Sequence, residues 1–142
     1  MSPTYDDLAK GLLDATSAGR TTIRVIDSDG GFPVVAEATA RGVRPIRDTT
    51  DIDLHKAETV VHIKRTHEPL LQEDLEHAIP QVPRQLIELY GVKAQMLGPV
   101  VVSGTLVGIV SVHDVAGPRE WSTEDRSALV RTATTVEHII RQ

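Results

Sequence analysis

The stretch from Gly91 to Trp121, GVKAQMLGPVVVSGTLVGIVSVHDVAGPREW, decides the fold of this chain. Val92 to Val102 is a long extended run, Ser103-Gly104 is a tight turn, and Thr105 to His113 is a second run rich in β-branched residues. Val92, Ala94 and Met96 alternate with Lys93, Gln95 and Leu97, and Val100 to Val102 is then continuously apolar. Val107-Gly108-Ile109-Val110 is also two-sided, the pattern of a sheet covered on both faces. Gly98-Pro99 inside the first run predicts a bulge or an edge position, and Gly108 a close approach of a neighbour or a bulge. Asp114 to Arg119 reads as a loop. Ser122 then caps a helix, with Asp125 at its third position completing a weaker form of the capping box. Leu129, Ala133, Val136 and Ile140 give that helix its apolar stripe.

Upstream the elements are shorter. Ser2-Pro3-Thr4 predicts a helix start with Asp6 and Asp7 in the first turn, where the helix dipole favours acids. Leu8, Leu12 and Ala15 continue it to Gly19. TTIRVIDS reads as a half-buried strand, Asp29-Gly30-Gly31 as a hairpin turn, and FPVVAEATA as the returning strand. Arg41 to Asp51 is polar and turn-rich. Asp53 is expected to cap a helix to about His67, with Leu54, Ala57, Val60 and Val61 on one side. Pro69 to Gln72 reads as a short strand, Asp74 to His77 as a helical turn, and Pro83 as the start of a helix closed by Gly91. Short hairpin strands with helices at both termini define an α+β protein rather than a doubly wound one. No internal repeat, linker or low-complexity segment interrupts the chain, so residues 1–142 are expected to form a single domain.

Composition removes several functions. The net charge is −5, with no basic stripe to track phosphates, and one Phe, one Trp and two Tyr make a poor base-stacking platform. Nucleic acid is therefore not an expected partner. The N-terminus lacks the basic and apolar regions of a signal peptide, and no apolar run approaches a membrane span, so the expectation is a cytoplasmic protein with no membrane partner. There is no cysteine, hence no disulfide, thiol nucleophile or thiolate metal site.

The segment GVKAQMLGPVVVSGTLVGIVSVHDVAGPREWSTEDRSAL resembles the C-terminal half of GAF domains. The resemblance rests on Gly91-Val92, Pro99, Gly104, Leu106-Val107-Gly108, Arg119-Glu120-Trp121 and Ser122. His67-Glu68-Pro69-Leu70-Leu71 is similar to an earlier step of the family pattern, so the likeness extends loosely over nearly the whole chain. It implies a GAF/PAS-like antiparallel sheet, with the N- and C-terminal helices together on one face. Helices and loops on the other face would enclose a ligand pocket. That layout puts Leu54, Thr59, Leu71, Tyr90 and Gln95 near the pocket.

His113, at the end of the last strand, has two readings: a polar group at the pocket mouth, or a strand-end hydrogen bond. Asp74 joins the candidate ligand-binding set, and with Glu73 and His113 it is a candidate for acid/base work, though no spacing singles these residues out. Trp121 reads as a staple between its loop and the last helix. Six histidines raise the question of a metal, but His55 and His62 would lie about 10 Å apart along a helix and no HxH or HxxxH pair occurs, so no metal site is expected. Family members that bind tetrapyrroles or reduce methionine sulfoxide commonly rely on cysteine, and the NKFDE-type pattern of cyclic-nucleotide binders is not recognisable. The cofactor and ligand therefore stay open.

The resemblance implies a small-molecule sensor. With Gln142 directly after the last helix, the expectation is a stand-alone module that signals in trans to a partner protein, and that pairs as a homodimer through its terminal helices. The alternatives are a small enzyme using the same cavity for acid/base chemistry on a metabolite, or an interaction domain whose pocket has collapsed.

Overall fold

A computed structural model describes residues 3–47 and 53–142. Residues 1–2 and 48–52, which include part of the polar stretch before Asp53, lie outside the described residues.

The N-terminal helix α1 (Tyr5–Thr16) begins at Thr4, whose side chain and Asp7 cap each other's backbone N–H in a full capping box. After it, β1 (Arg20–Val25) and β2 (Val34–Thr39) form a hairpin. The Asp27 carboxylate accepts the N–H groups of Asp29 and Gly31, and Gly30 adopts a φ of 83°, a value that favours glycine. Helix α2 (Glu58–Thr66) is capped at Ala57, four residues later than the Asp53 cap that the sequence predicts. Asp53 instead receives the N–H of His55 in a separate turn, an Asx-type bond that competes with helix initiation. Then come β3 (Leu70–Gln72), a single 3₁₀ turn (Leu75–His77) and the short helix α3 (Arg84–Glu88). The long hairpin is β4 (Ala94–Val102) and β5 (Thr105–Asp114), and α4 (Thr123–Arg141) closes the fold behind its Ser122/Asp125 capping box.

The five strands pair antiparallel in the order β2-β1-β5-β4-β3. Both glycine questions in the long hairpin resolve through neighbours. A Cβ at Gly108 would stand 2.8 Å from the Arg24 carbonyl oxygen, and the register shift between Val100 and Val101 lies across from it, so close approach and bulge coincide. A Cβ at Gly98 would press on Leu129 of α4 at 3.0 Å. Pro99 sits beyond the last β3–β4 pair, Leu70 with Leu97, where a missing N–H breaks no ladder on that side.

One face of the sheet is apolar. Ile23, Ala36, Met96, Val110 and Val112 meet Ala9, Leu12, Leu129, Ala133 and Val136 of the two terminal helices in the largest core cluster. Trp121 belongs to this cluster, and its indole N–H donates to the Gln72 carbonyl oxygen, so the staple reaches β3 as well as α4. Arg119 lies over the Trp121 ring and clasps the Thr16 carbonyl oxygen and Asp125, tying the two terminal helices together. The other face is covered by two smaller clusters. One, with Phe32, Val60, Ile63, Leu97 and Ile109, lies under α2; the other, with Ile46, Leu75, Leu86 and Tyr90, lies under α3. Among the described residues no helix is long and apolar enough to cross a membrane.

Candidate functional site

Strand alternation sorts the side chains before any packing does. On the face under α2 and α3 the cross-strand neighbours Gln72, Gln95, His113 and Arg20 form one row, and Leu97, Ser111, Thr22 and Glu37 form the next. The same strands turn Leu71, Met96, Val112 and Thr21 toward the terminal helices. This face is unusual in being both polar and covered: Arg20, Thr22, Gln72, Gln95, Ser111 and His113 are all buried.

Most of these groups are satisfied by one another. Arg20, fully buried, donates to the Arg44 carbonyl oxygen from Nε (3.0 Å) and Nη2 (2.6 Å), and to His113 Nδ1 from Nη1 (2.8 Å). Its charge faces Glu37 at 4.0 Å, and Glu37 also accepts the N–H of Ile46. Thr22 and Ser111 share a short hydroxyl–hydroxyl bond. Arg24 donates to the Phe32 carbonyl oxygen at 2.8 Å. Because a guanidinium can only donate, Arg20 fixes His113 Nδ1 as the acceptor and places the ring proton on Nε2. Burial, reinforced by the nearby Arg20 and Arg24 charges, holds the His113 pKa well below the ordinary 6.5, so the imidazole is neutral. Burial also lowers the pKa of both arginines, with Glu37 opposing, and both remain cationic.

A second chain of bonds ends in a gap. The Pro80 carbonyl oxygen accepts from Gln72 Nε2 at 2.7 Å, and Gln72 Oε1 then accepts from Gln95 Nε2 at 2.8 Å. A carbonyl cannot donate, so both amides are held in these orientations. Gln95 Oε1 is left buried with no partner.

Gln95 also lines a cavity at the seam of the two small clusters. Its floor is Thr22, Arg24, Gln95, Ser111 and His113, and its walls are Ile46, Leu54, Ala57, Thr59, Val60, Pro83 and Leu86, with Leu97 and Ile109 between. The free volume is about 40 Å³, several times what a single water needs. It is far below the several hundred Å³ of a drug-sized site.

Four of the sequence candidates, Leu54, Thr59, Gln95 and His113, stand on this cavity. The other three do not. Leu71 packs against the terminal-helix core, because a one-residue step along β3 reverses its face. Asp74 caps the 3₁₀ turn by accepting the N–H of Glu76. Tyr90 lies in the cluster under α3 with the guanidiniums of Arg20 and Arg44 over its ring at 5.6 and 4.9 Å, so it supports Arg20 and does not line the cavity. Arg20, Thr22, Arg24 and Ser111 join this face without having been sequence candidates for the site. Their signal was present as polar residues at alternate positions of β1 and β5, in register with Gln95. Among the described residues no three His, Asp or Glu side chains gather into a metal-binding group.

A helix-flanked five-stranded sheet with a cavity under its middle helices defines a GAF-type fold, and the family model for the GAF domain matches residues 2–140. The chain belongs to the GAF domain family. Among solved structures it is similar to the GAF domain of the cyanobacteriochrome TePixJ, with a TM-score of 0.82 and 22% identity over 96% of this chain and 86% of that one. It is also similar to the green-light-absorbing state of NpR6012g4, a red/green cyanobacteriochrome, with a TM-score of 0.77 and 19% identity over 97% and 92%. A third similar structure is a domain of a putative two-component sensor histidine kinase protein from Sinorhizobium meliloti 1021, with a TM-score of 0.69 and 17% identity over 96% and 88%. Comparison with curated proteins finds no match.

Proposed function

We propose that this protein is a regulatory GAF domain that binds a small molecule between the sheet and helices α2 and α3, and reports occupancy in trans to a partner protein. The observation that carries this reading is Gln95 Oε1, a fully buried acceptor without a partner, on a residue that lines the cavity. Leaving such an acceptor unmet costs about 1–3 kcal/mol, a cost a bound donor removes. The chain has no cysteine for thioether attachment of a chromophore, and the free volume of about 40 Å³ favours a ligand of few atoms. Light sensing, suggested by the photoreceptor neighbours, is therefore not part of the proposal.

Acid/base catalysis at this cavity has less support. Arg20 occupies the lone pair of His113 Nδ1, Nε2 carries the proton, and Asp74 lies outside the cavity wall. Pairing of copies through α1 and α4 belongs to the same proposal, as does a cytoplasmic location. On those two helices Val130 is the one exposed large apolar side chain among the described residues, so V130E is the variant that would separate the copies.

The test is thermal unfolding of the full chain against a panel of small metabolites of graded charge and size. Saturable stabilisation, about 2.7 kcal/mol at a hundredfold excess over Kd, with every compound recovered unchanged, is the expected result. No stabilisation by any compound would leave the domain as an interaction module with a closed pocket.

A further inference from the structure

Resting on the small-molecule reading above, we infer that the cavity takes a small carboxylate carrying a neighbouring hydroxyl or amino donor. Three fixed features of the floor specify the two halves of that ligand.

The first is charge. The covered polar face holds two guanidiniums, Arg20 and Arg24, against one carboxylate, Glu37. Arg20 is committed: it faces Glu37 and uses its donors on Arg44 and His113. Arg24 makes a single bond, through Nη1 to the Phe32 carbonyl oxygen, and lines the cavity with its remaining donors unbonded. The site is one negative charge short, and in a desolvated setting that imbalance favours an anion.

The second is His113. With Nδ1 taken by Arg20, its Nε2–H has no acceptor among the described residues. A carboxylate lying between Arg24 and His113 supplies one. Both groups donate, as carboxylate recognition requires.

The third is Gln95, the direct cross-strand partner of His113. The fixed orientation of its amide leaves an acceptor, Oε1, buried and unpartnered on a residue that lines the same cavity. A bare carboxylate set against that oxygen would be repelled. A molecule whose carboxylate sits beside an O–H or N–H meets both demands at once. The small free volume limits it to the size of glycolate, lactate or glycine unless the covering helices move.

The experiment compares three probes of nearly equal size on the full chain by calorimetry and thermal unfolding. Glycolate has both the charge and the donor, acetate lacks the donor, and glycolamide lacks the charge. Glycolate is expected to bind at least tenfold more tightly than either. R24M should abolish the preference for glycolate over glycolamide while leaving thermal unfolding of the free protein cooperative. Q95L should abolish the preference for glycolate over acetate and keep that over glycolamide. Equal binding of glycolamide and glycolate, or preferences that survive both substitutions, would overturn the inference. If none of the three binds but another panel compound stabilises the wild type and not R24M or Q95L, this ligand class is wrong and the small-molecule reading stands. If no compound in the panel binds, both fall.

Discussion

The two faces of the sheet are built from alternate residues of the same strands, yet they obey different rules. Toward α1 and α4, Ile23, Met96, Val110 and Val112 are fully or almost fully buried among Leu12, Leu129 and Val136, and nothing there needs a ligand. Toward α2 and α3, the neighbouring positions carry Arg20, Thr22, Gln95, Ser111 and His113, equally buried. Apolar burial stabilises without asking for a partner. Buried polar groups have to be matched one by one, and on this face Gln95 Oε1, the His113 Nε2–H and donors of the half-buried Arg24 are left over. One face holds the fold, and the other is left incomplete in a way that a small ligand can finish.

Substitutions break this contrast to different extents. The largest effect is expected at Arg20, where R20M strands the Glu37 carboxylate and the Arg44 carbonyl oxygen in the interior. Chemical denaturation should show a loss of about 3–5 kcal/mol, and E37Q added to R20M should recover part of it. On the apolar face, L129A removes a side chain with no exposed surface that packs over Gly98. It should cost about 3 kcal/mol in the same measurement and leave the relative affinities of small-molecule probes unchanged.

A smaller effect concerns pH. His113 has a depressed pKa when folded and an ordinary one when unfolded, so below about pH 6.5 the unfolded chain takes up a proton that the native state refuses. Stability therefore falls with pH through that window. Between about pH 7.5 and 5.5 the wild type should lose more stability than H113Q in chemical denaturation. The smallest effect is expected for Q95L in the free protein. The substitution removes the orphan acceptor but also takes a donor from Gln72, and the two should offset to within about 1 kcal/mol.

Much of the fold was legible because its signals are local. The Ser122/Asp125 box, the Ser103-Gly104 turn and the two-sided apolar runs each rest on neighbours in sequence. The start of α2 was misplaced because Asp53 satisfies a turn as readily as a helix cap. The site was harder. Gln95 comes from the family layout and His113 from its place at a strand end, whereas Arg20 and Arg24 look like ordinary solvent-facing residues of a half-buried strand. Their surroundings come from residues distant in the chain, Arg44 and His113 for Arg20 and the cavity residues Thr59 and Val60 of α2 for Arg24, and only the strand register pairs them with His113 and Ile109. The layout that puts Leu71 near the pocket does not carry the parity of a three-residue strand, which is set by its pairing with β4.

The central claim, that the covered polar face is the ligand-binding face, is tested most directly by NMR of the ¹⁵N-labelled histidine rings together with methyl-labelled Leu, Val and Ile during addition of glycolate. The expected result is a His113 ring protonated on Nε2, with that resonance and the methyls of Leu97 and Ile109 shifting saturably while Leu129 and Val136 stay still. A His113 ring protonated on Nδ1, or shifts gathered on α1 and α4, would contradict it.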